Sequence, residues 1–221
     1  EVVDGGGSFI SNHDPGASIM APLLDKMGVK QLDLMILSHP HPDHHNGLVT
    51  LARKYKPKQF WWNGQPSRHP RLLALLAALQ ESGTAVTVFE RPAQGASITV
   101  QHGGATLDVM HPLPVRDGPD APTHYPELDD NDNSLVVRIT HGGHRVLFPG
   151  DIEEEAEARL SSDLAIAPLL RADVLKVPHH GSSTSTTDAL LNAVAPTIAL
   201  MGVGERNPWH FPHPDVVARL H

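Results

Sequence analysis

The chain has 221 residues, enough for one large domain or two small ones, with an ordinary globular composition of 40% hydrophobic and 19% charged residues. It contains no cysteine, which excludes disulfides and thiolate metal ligands, and no apolar run reaches the roughly 18 residues of a membrane span. A formal net charge of −8 excludes a generally basic surface for nucleic acid, so a polyanion has to be met by a local patch or by metal ions.

In chain order, "EVVDGG" (1–6) reads as a short strand running into a glycine turn. Residues 17–28 have helical apolar spacing at Ile19, Leu23, Leu24 and Met27 and stop at Gly28. The continuous apolar run 32–38 fits a strand buried on both faces. A short helix at 48–55, a strand at 59–63, a helix at 70–83 between Pro70 and Gly83, and a strand at 85–90 follow. Two hairpins are expected at 97–111 and 133–151, turning at Gly103-Gly104 and Gly142-Gly143. Between them, 112–131 is rich in Pro, Asp and Gly without periodicity, which marks a functional or mobile loop. A helix at 152–160 carries acidic residues in its first turn, favourable against the helix dipole. The remaining elements are a strand (172–178), a helix (186–196), a strand (197–202) and a last helix (214–220). With no repeat and no break in composition, one domain over 1–221, with sheets covered by helices, fits this order.

The abnormal number is 16 histidines. His102, His111, His124, His141 and His221 stand singly and read as surface or satisfied side chains. The stretch "SHPHPDHHNGL" (38–48) is different: His39, His41, Asp43, His44 and His45 fall within seven positions directly after the buried strand. Ligands at a strand's C-terminal end are aimed by a rigid element into an open cleft. His39 and His41 can face one ion; Asp43 and His44 can serve a second. Pro40 and Pro42 reduce the ordering entropy between them. Imidazole and carboxylate suit zinc, manganese or iron. Asp151 in "PGD" and the pair His179-His180 in "VPHHGSS" are two further strand-end groups. Adjacent histidines diverge, so one of the pair is expected to bind metal and the other to donate a hydrogen bond or proton. The run Ser182–Ser185 is expected to cap the following helix. Trp61 and Trp62, inside a strand, read as core; Trp209, in a proline-rich loop, is the better base-stacking candidate.

The order "DGG", "SHPHPDHHNGL", "NDNSLVV", "PGDIEEEAEARL", "LKVPHHGSSTS", "NPWHFPHP" resembles the metallo-β-lactamase fold over nearly the whole chain. Within it, the chain is similar to the ComEC-like branch: the soluble C-terminal domain of DNA-uptake channel proteins of natural competence, together with free-standing hydrolases. The resemblance implies an α/β architecture, an αβ/βα four-layer sandwich of two mixed β-sheets flanked by helices. It also implies that an N-terminal strand of the fold precedes Glu1.

The same resemblance implies two divalent ions, manganese or zinc. His39 and His41 would hold the first; Asp43, His44 and His180 the second, more tightly held; Asp151 would bridge. Asp4 would orient a ligand histidine. The family's third histidine for the first ion has no counterpart in "DDNDNS", so Asp132, Asn131 or water is expected to fill in, which leans from zinc toward manganese. Catalysis would fall to Asp43, Asp151 and His179, with Lys176, Arg206, His210 and His213 as further donors. The implied activity is a metal-dependent phosphodiesterase, a nuclease degrading one strand during DNA uptake. Single-stranded DNA would be the substrate and the rest of a membrane channel the partner, on the extracytoplasmic (periplasmic) side. A free-standing enzyme, cytoplasmic and acting on a small phosphodiester or lactone, and a catalytically weak DNA-guiding module are the alternatives.

Overall fold

The computed structural model describes residues 1–11, 13–92, 96–116, 118, 120–204 and 207–221, so Arg206 lies outside the described residues. The chain forms two compact units, Glu1–Phe89 and Glu90–His221.

The first unit holds a four-stranded sheet in the order β1 (Val2–Val3), β2 (Leu34–Leu37), β3 (Gln59–Trp62) and β4 (Ala85–Val88). All its pairings are parallel, because each strand returns through a helical crossover. All four residues of β2 are fully buried, as its unbroken apolar run requires. Helices α1 (Ala21–Lys26), α3 (Leu48–Tyr55) and α4 (Pro70–Glu81) share a core with Met35, Leu37, Phe60 and Trp62. Trp61 and Trp62 are buried, which confirms core packing for both.

One helical face departs from expectation. Ile19, Leu23 and Met27 are 60%, 55% and 68% exposed, while Met20, Ala21 and Leu24 meet the core. The cause lies in the π-helical turn Gly16–Met20 that leads into α1. Its Gly16 is pressed so closely on the backbone of Gly47 that any Cβ would collide, and this contact turns the Gly16–Met20 side inward.

The second unit holds a six-stranded sheet in the order β10-β9-β8-β7-β6-β5. Strands β5 (Ile98–His102), β6 (Ala105–His111), β7 (Val136–His141) and β8 (His144–Phe148) run antiparallel; β9 (Val174–Lys176) and β10 (Ile198–Leu200) continue parallel to β8. Both hairpins turn on Gly-Gly pairs with φ of 57° and 82°, the left-handed turn that matches strand twist. Helices α5 (Glu154–Ser162) and α6 (Asp188–Val194) pack with Leu147 and Leu175 in a second core, and α7 (Pro214–Arg219) follows β10. Two sheets flanked by helices make the chain α/β; the second sheet is mixed, and the first is parallel throughout among the described residues. Residues 112–135 carry no helix or strand among those described. Buried Asn133 organises this stretch, donating to the carbonyls of Tyr125, Leu128 and Asp129 and accepting from Tyr125 N–H.

Candidate metal centre

In the first unit, β2 ends at Leu37, the chain bends over 38–40, and His41 is extended (φ −87°, ψ 147°). The chain then closes into a short helix, α2 (Pro42–His45), with Pro42 at its first position, where no N–H is missed. This change from extended to helical backbone gathers the ligands. The His39 ring centroid lies 4.5 Å from His41 and 4.3 Å from His44, and ligand atoms of Asp43 and His44 are within 4.8 Å of each other.

Asp4 fixes the orientation of this group. It sits in the left-handed region (φ 55°), tied to β2 through its N–H and the carbonyl of Ile36. Its Oδ1 accepts from Ser38 N–H at 2.8 Å; its Oδ2 accepts from the Ser38 hydroxyl at 2.9 Å and from His44 Nδ1 at 2.8 Å. A carboxylate only accepts, so the His44 proton is held on Nδ1 and Nε2 presents its lone pair. His45 turns the other way. It is fully buried against the His69 ring at 4.8 Å, and burial lowers its pKa to about 4, which keeps it neutral. Gly47 lies against Gly5, where a Cβ would strike the Gly5 carbonyl; the "DGG" loop and the histidine loop interlock only without side chains there.

In the second unit, Asp151 follows β8 and is buried. Its N–H donates to Ser134 Oγ at 2.9 Å. Lys176 Nζ, at the end of β9, donates to Asp151 Oδ1 at 2.8 Å and to the Gly150 carbonyl at 2.7 Å. The other oxygen, Oδ2, is 3.2 Å from His180 Nε2. His180 Nδ1 donates to the Gly202 carbonyl at 2.6 Å, so here too the proton is held on Nδ1 and Nε2 faces the carboxylate.

His179 and His180 both adopt left-handed backbone (φ 42° and 53°), a strained arrangement that sends their rings apart: centroids are 6.4 Å apart and planes cross at 65°. His179 Nδ1 lies 2.6 Å from Glu153 Oε1, which also accepts from Thr184 Oγ1 at 2.9 Å. The His179 contact is the main cause that lowers the Glu153 pKa. One turn further along α5, buried Glu157 accepts from Thr186 N–H at 2.5 Å and Thr187 N–H at 2.7 Å. Glu153 and Glu157 thus grip both ends of the histidine loop. Burial raises the Glu157 pKa.

In the first unit four ligand-type side chains follow one strand end, and in the second a carboxylate and an imidazole follow two neighbouring strand ends; nitrogen and oxygen donors of this kind suit divalent transition ions. A family model described as "Metallo-beta-lactamase superfamily" matches residues 13–204.

The chain belongs to the metallo-beta-lactamase superfamily.

Its relatives include "ComE operon protein 3" of Bacillus subtilis, 29% identical over 99% of this chain and 27% of that protein. "Recombination protein 2" of Haemophilus influenzae is 42% identical over 90% of this chain and 21% of its own length. "Competence protein ComA" of Neisseria gonorrhoeae is 27% identical over 91% and 24%. The chain therefore spans about a quarter of the length of the curated relatives it matches. A solved metallo-beta-lactamase fold protein, YhfI from Bacillus subtilis, is 17% identical with a TM-score of 0.42, covering 83% of this chain and 72% of that one. The three competence and recombination proteins agree with the ComEC-like resemblance of the motifs, and the chain is a metallo-beta-lactamase-fold metal-dependent hydrolase related to competence proteins.

Within this superfamily member, the other residues singled out by sequence take the following places. Asp132 is buried, and its Oδ1 accepts from the N–H groups of Glu153 (2.6 Å) and Ala156 (3.3 Å), which satisfies the start of α5. Burial raises its pKa. Asn131 contributes, after His179 and Thr184, to lowering the Glu153 pKa. The run Ser182–Ser185 does not cap α6: Thr187 does, while Ser182 bonds Thr184 and Ser185 bonds the Pro178 carbonyl inside the loop. The true cap lies two residues further on because the loop needs those hydroxyls for its own backbone.

Trp209 is half exposed and stacks on Phe211 (6.4 Å, 21°), whose ring edge meets His179 at 5.4 Å. His210 is exposed with φ 59°, and His213 caps α7. His111 is buried, with Nε2 on the Asp132 carbonyl at 2.6 Å: a satisfied structural histidine. Glu153, Glu157, Ser38 and Gly202 were not singled out in the sequence. Glu153, two residues past the strand-end Asp151, carried a positional signal; the others did not.

Proposed function

We propose that the ligand groups of the two units act as one two-ion centre that hydrolyses phosphodiesters, with single-stranded DNA as substrate. His39 and His41 would hold the first ion. Asp43, His44 and His180 would hold the second, with Asp151 between them and manganese or zinc as the metal. When bound, such ions supply Lewis-acid stabilisation and a water of lowered pKa.

The chain's own residues do the rest. Asp4 and the Gly202 carbonyl fix the tautomers of His44 and His180 before any ion arrives. Lys176 holds Asp151 in one orientation. His179, aligned by Glu153, carries a proton at Nε2 to or from the substrate oxygen. Trp209, on the aromatic series that ends at His179, offers a face on which a base can stack. The single observation that carries the reading is the separation of the His179–His180 pair: one ring turned to a glutamate, the other to the strand-end aspartate.

The relatives' names concern competence and recombination, which favours DNA over a small substrate. The fraction of those relatives that the chain spans supports a place as one domain of a larger protein; the setting proposed for it is a DNA-uptake channel, on the extracytoplasmic side.

The test is incubation of the purified chain with labelled single- and double-stranded DNA across manganese, zinc and magnesium, with bound metal measured after dialysis. Metal-dependent cleavage of single strands is expected. Turnover of a small phosphodiester with DNA left intact would move the assignment to a small-substrate hydrolase. Intact DNA with every metal, beside tight metal-free binding, would replace the nuclease by a DNA-guiding module.

A further inference from the structure

The first unit carries a surface that the metal centre does not use. Ile19, Leu23 and Met27, at successive spacings of four, are all more than half exposed along one helical side. Such a stripe normally faces a core. Here its inner neighbours already fill that role.

Around the C-terminal end of the stripe lies most of the lysine of the protein. Five of the six lysines fall between positions 26 and 58, and Lys26, Lys30, Lys54, Lys56 and Lys58 are all exposed, with Arg53 beside them. Contacts within the unit hold these positions together. Tyr55 OH donates to the Ala21 carbonyl at 2.8 Å and to Asp25 at 2.9 Å. Gln31 Nε2 donates to the Lys56 carbonyl, and Lys58 N–H to the Leu32 carbonyl. Asp25 pairs with Lys54 and Asp33 with Lys58, which leaves Lys26, Lys30, Arg53 and Lys56 without an ion pair among the described residues. The concentration of positive charge is local. Residues 1–89 hold eight basic and seven acidic side chains, whereas 90–221 hold nine and eighteen.

An apolar stripe next to a cluster of lysines, on an otherwise acidic protein, has the chemistry of a surface that seats at a lipid interface: apolar side chains enter the acyl boundary and ammonium groups meet anionic headgroups. Nucleic acid would use the lysines and leave the stripe idle; a purely apolar partner would use the stripe and leave the lysines idle. We infer that this face docks on an anionic phospholipid surface through Ile19, Leu23, Met27 and the surrounding lysines.

The test is co-sedimentation of the full chain with phosphatidylcholine vesicles that contain or lack phosphatidylglycerol, without metal and without nucleic acid. Its outcome is independent of any hydrolytic activity. Binding is expected only with phosphatidylglycerol and should weaken with added salt. The combined variant Ile19→Ser/Leu23→Ser/Met27→Ser, and separately Lys26→Gln/Lys30→Gln/Lys56→Gln, should each weaken it by roughly ten-fold or more. The substituted side chains are exposed, so circular dichroism should match the parent. No binding to anionic vesicles, or binding that neither variant weakens, overturns the inference. So does a parent chain that self-associates in sedimentation velocity through the same stripe, with the serine variant monomeric.

Discussion

The two ligand groups, one in each unit, are built in opposite ways. In the first unit, four ligand-type residues come from six consecutive positions, His39 to His44, and one distant residue, Asp4, aligns them. In the second, Asp151 and His180 come from separate strand ends. Their setting is assembled from Lys176, Gly202, Glu153 and Glu157, contributed by one strand, two connecting segments and a helix. A local motif needs little beyond correct backbone. A distributed one depends on the whole unit being folded, and through that fold an imidazole, His179, is turned to Glu153 and away from His180. The difference predicts that damage to the first half will be confined to metal, while damage to the second can separate metal binding from rate.

The largest effects should come from removing a ligand carboxylate from either half. Asp43→Ala and Asp151→Ala should each abolish hydrolysis, with circular dichroism unchanged because Asp43, in the short helix α2, and Asp151, in the turn after β8, both lie outside the two hydrophobic cores. Asp151→Ala should also leave Lys176 without its 2.8 Å partner, so its melting temperature should fall further than that of Asp43→Ala. Equal melting temperatures would erase the contrast between the halves.

The next test lies within the second half. His180→Ala should lose metal and activity together. His179→Ala should retain metal and lose rate by roughly 10²–10⁴-fold. Glu153→Gln should reproduce part of the His179→Ala loss with metal content intact. Metal analysis beside single-turnover rates reads both quantities, and the reverse pattern would exchange the two histidines' roles.

Acid should affect the units alike, through histidines that are buried neutral. Burial lowers His45 in the first unit and His111 in the second from 6.5 to about 4. Between those values the unfolded chain takes up a proton that the folded chain refuses. The stability is therefore complete above about pH 6.5 and is lost as the pH falls toward 4; the fully buried His111 alone accounts for roughly 3 kcal/mol. Denaturant unfolding across this range should show the decline, and His111→Gln should flatten it.

The smallest effect is expected at the residue that aligns the first half. Asp4→Asn can still meet Ser38 but accepts less strongly from His44, and should weaken metal binding by about 10–100-fold without abolishing it. Competition with a chelator measures this directly.

Much of the architecture was legible in the chain itself. Unbroken apolar runs marked the buried strands, Gly-Gly pairs marked both hairpin turns, and Pro70 and Gly83 bounded α4, because these signals are local and carried by backbone sterics. The histidine loop was legible for the same reason: its ligands are neighbours in sequence. What sequence could not decide was direction and partnership. The spacing of Ile19, Leu23 and Met27 fixed a helical side, but only the close contact of Gly16 with Gly47 turned it outward. The acidic first turn of α5 read as a match to the helix dipole. Only the folded unit turned Glu153 and Glu157 onto a loop about 30 residues away and gave the helix start to Asp132 instead. Periodicity and turn chemistry are properties of neighbouring residues. The partner of a buried carboxylate is set by which strands come to lie side by side, and that is decided by packing.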